Sequence, residues 1–207
     1  MSKSRLEAFT DGVIAIVITI MVLELKVPKE PTFSALMESR YHFLVYLVSF
    51  LTLAIYWNNH HHLLQIARRI SGRVLWCNIV LLFFLSLFPF TTAWVDEHLT
   101  SRTPELLYGG VMLVADIIWL LLAQELVREN GKGSAIHEAL KDSKKSYITI
   151  GLILAGLIAG VFWPPAVMIM CVLSMLPWII PDKKIEKHIR ETLLEKERFE
   201  TSKNIPE

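Results

Sequence analysis

The chain has 207 residues, of which 53% are hydrophobic, and its mean hydropathy is +0.45. These values exclude an ordinary soluble domain and leave room for several membrane-spanning helices. The formal net charge of +1 also excludes a concentrated basic surface, so nucleic acid is not expected as a partner.

Six apolar stretches follow one another along the chain, and each is close to the ~20 residues that a helix needs to cross the hydrocarbon. They lack the period-2 alternation of a membrane β-barrel, so we predict an all-α membrane protein with six transmembrane helices per subunit. The predicted spans are Phe9–Leu25, Phe43–Trp57, Val74–Val95, Leu106–Leu126, Tyr147–Trp163 and Ala166–Ile180.

The lysine and arginine residues indicate how these helices are oriented. With the N-terminus inside, all but four of the 21 basic residues fall in cytoplasmic segments, and the four outside are Lys26, Lys29, Arg40 and Arg102. Basic residues favour the cytoplasmic side, so both termini are expected there. We therefore divide the chain into a membrane domain, residues 1–181, and a charged cytoplasmic tail, residues 182–207, in which a short amphipathic helix is predicted.

The first stretch carries a helical face that is apolar except for a single hydroxyl. An acidic residue stands near each end of the stretch, Asp11 and Glu24, although a charge within the hydrocarbon costs about 2.5–3.5 kcal/mol. Asp11 therefore needs a partner. The residues that share the face recur at steps of three and four, and they are Gly12, Ile16, Thr19, Ile20 and Leu23.

Arg5 and Asp11 lie six positions apart, which separates them by ~120° around a helix. They are poor partners for each other, so each is expected to contact another helix or another subunit. In the alternative interpretation Arg5 is a positive anchor at the inner membrane face, and Asp11 is a residue near the helix N-terminus that the helix dipole favours.

Polar residues at the end of the second stretch and within the third lie on the same inner side of the membrane. One hypothesis is a polar cluster that links both helices to the first. Another is a set of interfacial side chains at the lipid headgroups. A metal site is disfavoured because adjacent histidines point in different directions on a helix. The residues concerned are Trp57, Asn59, His60, His61 and Asn78.

Proline and glycine predict two local features of the bundle. Pro89 is expected to bend the outer end of the third helix, with Ser86 and Thr91 satisfying the backbone groups that the proline frees. Gly156 and Gly160 form a G-x-x-x-G motif, which predicts close packing of the fifth helix against a neighbour.

Four short motifs stand in the first half of the chain: R-x-x-x-F-T-D-G from Arg5 to Gly12, Trp57-x-x-His60-His61, Trp76-x-Asn78 and Pro89-Phe90. Together they resemble the motifs of the transmembrane protein 175 family of endolysosomal potassium channels. The first is similar to the R-x-x-x-F-S-D signature that opens the first helix of that family, with Thr10 in place of serine. Bacterial members of the family have one six-helix repeat, which matches the number of stretches.

The resemblance implies a potassium-permeable channel in the plasma (inner) membrane, passing K⁺ and other monovalent cations passively, without a cofactor, as a homotetramer whose pore is lined by the first helix. No TVGYG-like segment is present, so a filter must be built from side chains. The implied pore residues are Ile16, at the constriction, with Thr19, Ile20 and Leu23, and Glu24 lies at the outer mouth. The implied supporting network consists of Arg5, Phe9, Thr10, Asp11, Trp57, Asn59, His60, His61 and Asn78.

Asp116, near the middle of the fourth stretch, supports an alternative function. A carboxyl at this depth is expected either to relay protons or cations, or to form a hydrogen bond between two helices. A secondary carrier or proton-coupled cation transporter would use it, but the two halves of the chain lack the inverted repeats typical of carriers. An enzyme is not expected, because no nucleophile–base pair, metal motif or Gly-rich phosphate loop is found.

Overall fold

The computed structural model describes residues 3–140 and 144–179, and every regular element within them is an α-helix. This confirms the all-α prediction for the described part, whereas the helix predicted in the tail lies outside it. The helices are α1 (Lys3–Leu23), α2 (Phe33–Glu38), α3 (Arg40–Ile66), α4 (Gly72–Leu85), α5 (Phe88–Glu97), α6 (Arg102–Asn130), α7 (Ala135–Leu140), α8 (Lys145–Gly160) and α9 (Ala166–Ile179).

Within these ranges, four helical segments are long and apolar enough to cross a membrane. Three of them are α1, α3 and α6, and the fourth is formed by α4 and α5 together, from Gly72 to Glu97. They correspond to the first four predicted spans. The fifth and sixth spans correspond to α8 and α9, which are apolar but shorter, with 16 and 14 described residues.

One stripe of α1 packs against α3, α4 and α5. The buried residues recur at steps of three and four, so they form one side of the helix and are removed from contact with solvent or lipid. The opposite side, which carries Thr19, is exposed. The buried stripe consists of Leu6, Thr10, Ile14, Val17 and Met21.

The third membrane segment, where a bend at Pro89 was predicted, is interrupted just before that proline. α4 ends at Leu85 and α5 begins at Phe88, which places the proline in the first turn of α5, where its missing N–H removes no helical hydrogen bond. The Ser86 hydroxyl donates to the carbonyl of Phe83 at 2.7 Å, and the Thr91 hydroxyl donates to carbonyls near the break. The helix is therefore interrupted without leaving these carbonyls unpaired.

Glycines allow α6, α8 and α9 to approach one another closely. A Cβ atom added at Gly156 of α8 would lie 2.7 Å from the Cβ of Met170 on α9, a distance that real side chains do not show. Cβ atoms added at Gly160 of α8 and Gly109 of α6 would lie 2.4 and 2.5 Å from the side chain of Val167 on α9. The close packing predicted from the G-x-x-x-G motif is confirmed, and Gly109 adds a third helix to it.

Hydrogen bonds gather the start of α1 and the ends of α3 and α6 at one end of the bundle. Lys3 donates its Nζ hydrogen to the carbonyl of Gln65 at 3.0 Å. The backbone N–H groups of Arg68 and Arg69 donate to the side-chain oxygen of Asn130 at 2.8 and 2.9 Å. We call this the basic end. At the opposite end Lys26 forms a salt bridge of 2.7 Å with Glu97.

Candidate pore face and polar network

The exposed side of α1 is apolar and has few contacts within the subunit. Ile16 is 61% exposed, Ile20 43% and Leu23 77%, and a side chain at Gly12 would meet open space. Thr19 is also exposed, and its hydroxyl donates to the carbonyl of Ala15 at 2.8 Å. Because that bond uses the hydroxyl hydrogen, the oxygen presents its lone pairs outward. We call these five side-by-side positions, 12, 16, 19, 20 and 23, the α1 outer face.

The opposite side of α1 is tied to the bundle by a buried chain of hydrogen bonds. Asn78 of α4 donates from Nδ2 to the hydroxyl oxygen of Thr10 at 3.0 Å. Its Oδ1 lies 2.7 Å from Nε2 of His60 on α3, and an amide oxygen can only accept, so His60 carries its hydrogen on Nε2. All three side chains are buried. The chain therefore joins α1, α4 and α3 at one level.

A second, exposed bond links α1 to α3 near the same level. The indole N–H of Trp57 donates to Oδ1 of Asp11 at 2.9 Å. The Trp57 ring also stacks on that of His61, whose Nε2 lies 2.8 Å from the side-chain nitrogen of Gln65. Asp11 therefore has a partner on another helix, at the surface of the subunit rather than in its core.

The remaining members of the implied network are not joined to it within the subunit. Asn59 donates to the carbonyl of Ile55 on its own helix at 2.8 Å. Phe9 is 52% exposed, and Arg5 is exposed without a hydrogen bond or ion pair to the residues that the structure describes. In that same part of the chain, no three His, Cys, Asp or Glu side chains come together as a metal site.

Acidic and basic groups surround the end of α1 that is remote from the basic end. Glu24 is exposed just beyond α1 and shares a small depression with His42 and Asp96, whose side chains lie 2.5 Å apart. Lys26 lies close by in its salt bridge, and the carboxylate of Glu97 raises the pKa of its ammonium group. Glu24 therefore belongs to a polar rim beside the apolar outer face.

Asp116 has a partner that sequence analysis did not identify. Tyr56 of α3 donates its phenolic hydrogen to Oδ1 of Asp116 on α6, and Trp119, one turn further along α6, packs edge-on against the Tyr56 ring. Tyr56 and His60 are one turn apart on α3 and both are buried. Their spacing in the sequence predicts that they share one face of the helix, but it does not predict which other helices that face contacts.

Comparison with known proteins assigns the chain to a family. The family model described as endosomal/lysosomal potassium channel TMEM175 matches residues 5–89. Potassium channel HX13_20290 of Chryseobacterium sp. (strain P1-3) is 42% identical over 191 residues, which cover 92% of this chain and 100% of the relative. Potassium channel Cha6605_3372 of Chamaesiphon minutus is 34% identical over 124 residues, which cover 56% of this chain and 61% of the relative.

A solved structure agrees with these matches. The crystal structure of a lysosomal potassium-selective channel TMEM175 homolog from Chamaesiphon minutus superposes with a TM-score of 0.75 at 27% sequence identity. The match covers 86% of this chain and 96% of that chain. The apolar helices, the fold and the sequence matches define a membrane protein of a channel class. The chain belongs to the TMEM175 family, which confirms the resemblance found in its motifs.

Proposed function

We propose that the chain forms a potassium-permeable cation channel in which the α1 outer faces of several subunits surround a shared pore. The observation that carries the proposal is the division of α1 into a buried stripe and an exposed apolar face. The relatives' names as potassium channels support the choice of ion. Transport in such a pore is passive, down the electrochemical gradient.

The α1 outer face has a carboxylate near each end. Asp11 and Glu24 stand near its two ends, and hydrocarbon is an unfavourable environment for both carboxylates. A water-filled opening at each end of a pore provides the hydration that lipid lacks. The same carboxylates would attract cations and repel anions, so Glu24 serves in the proposal as the outer mouth.

Rings of side chains act as the filter in this proposal. Symmetry-related Ile16 side chains form an apolar neck that expels water, with Ile20 and Leu23 forming further rings towards the outer mouth. Thr19 contributes a ring of outward-facing hydroxyl oxygens, which we assign as the element that favours potassium over sodium. One subunit supplies only one such face, so the pore requires closed symmetry, and a tetramer is proposed.

The polar network positions α1 in this proposal. The buried Thr10–Asn78–His60 chain and the Asp11–Trp57 bond hold the helix so that its outer face points away from the bundle. Arg5, which is exposed at the basic end, is assigned a contact with a neighbouring subunit. In this proposal all six apolar segments cross the plasma membrane. The positive-inside rule places the basic end in the cytoplasm, and both termini lie on that side.

Reconstitution of the purified protein into planar bilayers tests the proposal. With potassium on one side and sodium on the other, we expect single-channel currents whose reversal potential favours potassium. Flux that needs a counter-gradient of sodium or protons, without unitary currents, would instead indicate the secondary carrier.

The shared pore is tested by Leu23→Cys in a background of Cys77→Ser and Cys171→Ala. Oxidation should link subunits, and strictly monomeric protein would contradict the arrangement.

A further inference from the structure

Asp116 has one carboxyl oxygen without a partner, in the interior of the subunit. Its side chain is 7% exposed, and Oδ2 forms no hydrogen bond with any residue that the structure describes. A cavity of about 20 Å³ adjoins the carboxyl between α3, α6, α8 and α9, which is room for roughly one water molecule. The Asp116 carboxyl lies outside the α1 outer face and has no role in the proposed filter.

The side chains that line this cavity offer acceptors to Oδ2 but few donors. The hydrogens of three lining hydroxyls and one lining indole are directed to a backbone carbonyl, a sulfur atom or another lining side chain, at 2.7–3.3 Å. Among the described lining residues, the indole N–H of Trp119 and the second amide hydrogen of Asn59 are further donors, and neither forms a hydrogen bond with Oδ2. An ionised carboxylate only accepts hydrogen bonds, whereas a protonated one brings a donor of its own. The surroundings therefore match the protonated form. The groups whose hydrogens are already used are Thr52, Thr149, Ser174 and Trp178.

No basic side chain neutralises Asp116 in the described residues. The ionisable groups nearest to it are Tyr56 of α3 and Cys171 of α9, both buried, while His60, one turn from Tyr56 on the same face of α3, lies beside Trp119 and is hydrogen-bonded to Asn78. From α8, Lys145 lies outside this cavity, in the lining of a neighbouring one, over the ring of Trp178 at 5.8 Å. An ionised Asp116 would be a buried charge without a counter-ion, which is strongly unfavourable.

We propose that Asp116 is a proton-binding site within each subunit, separate from the pore. A hydronium ion from solvent transfers its proton to Oδ2 and leaves as water, and the new O–H donates to a water molecule, for which the cavity has room. A second cavity shares Asn59, Trp119 and Trp178 with the first and leads towards exposed Tyr147 at the start of α8. This gives the proton a route from the basic end.

A proton fits this site better than a metal cation does. A sodium or potassium ion must exchange its hydration shell for several oxygen ligands at once. Here the hydroxyls of Thr52, Thr149 and Ser174 are already held in hydrogen bonds to backbone carbonyls, and the cavity has space for about one water. A proton needs only the single free lone pair of Oδ2.

Infrared spectroscopy of the purified full-length protein in lipid tests the assignment without relying on channel activity. The parent spectrum minus that of Asp116→Asn isolates this carboxyl at each pH. In acidic buffer we expect the C=O band of a protonated acid, which Tyr56→Phe should shift to higher frequency because it removes one hydrogen bond. Glu129→Gln, which changes a carboxyl at the end of the same helix, should leave the band in place. Gel filtration checks that each variant is folded.

The opposite results would overturn the assignment. A parent-minus-variant spectrum that contains only ionised-carboxylate bands at every pH would show that Asp116 binds no proton. The same outcome with a carboxylate frequency that responds when sodium or potassium replaces a large organic cation would assign the site to a metal cation. A band that survives unchanged in Asp116→Asn would place the protonated acid elsewhere in the protein.

Discussion

Replacing Asn78 by leucine would leave two buried polar groups without a hydrogen-bond partner. The side chains of Thr10 and His60 both bond to Asn78, at 3.0 and 2.7 Å, and neither is more than 3% exposed. A buried group left unsatisfied costs about 1–3 kcal/mol, but hydrogen bonds between membrane helices average only about 0.6 kcal/mol. For two groups we therefore expect a loss of roughly 2 kcal/mol in the free energy of unfolding.

The measurement is reversible unfolding in mixed detergent micelles, followed by tryptophan fluorescence or circular dichroism. Asn59→Leu is the matched control, because that amide bonds only to a carbonyl of its own helix and its loss should cost less than about 1 kcal/mol. A double-mutant cycle with Thr10→Val then isolates the bond between α1 and α4. Equal losses in Asn78→Leu and Asn59→Leu, with no coupling to Thr10→Val, would refute the role given to this chain.

Three further predictions concern the outer face of α1 and the glycine contacts. Thr19→Val should lower the potassium-over-sodium permeability ratio in bilayers, and an unchanged reversal potential in mixed salts would count against its proposed role. Ile16→Asn should raise the resting conductance because polar groups keep the neck hydrated. If only Leu23→Asn became leaky, the constriction would lie at Leu23. Gly109→Ala should destabilise the protein by about 1–3 kcal/mol through overpacking, whereas Gly110→Ala, which points into open space, should be neutral in the same unfolding assay.

The sequence pattern predicted those features of the fold that depend on the spacing of residues along a single helix. The all-α class and the first four membrane segments follow from local chemistry, and the structure confirms both. Likewise, the face shared by Gly12 and Leu23 was visible in the sequence as a step pattern. That this face is exposed and the one containing Thr10 is buried could not be predicted, since both are mostly apolar and only packing distinguishes them.

The candidate site was less predictable where it depends on contacts between helices. Sequence motifs grouped Asn59 with His60, yet the first bonds to its own helix and only the second reaches α4. Asp116 was recognised as unusual from its depth in an apolar stretch, but its partner Tyr56 is 60 residues away in the chain. A single sequence carries no information on such pairs, because the crossing positions of α3 and α6 arise from the packing of the whole bundle.

Close packing at glycines fixes α6, α8 and α9 to one another, whereas hydrogen bonds tie α1 to the bundle. This difference has a mechanical consequence. Val167 packs against Gly109 and Gly160 so closely that neither position has room for a Cβ atom. Repulsion between closely packed atoms rises steeply with compression, so α6, α8 and α9 behave as one stiff wall. The bonds that hold α1, such as Asn78 to Thr10, can instead be exchanged one at a time for about 1 kcal/mol each. Movement of the helix with the exposed face is therefore expected to proceed by changing hydrogen-bond partners, while the wall behind it serves as the fixed frame.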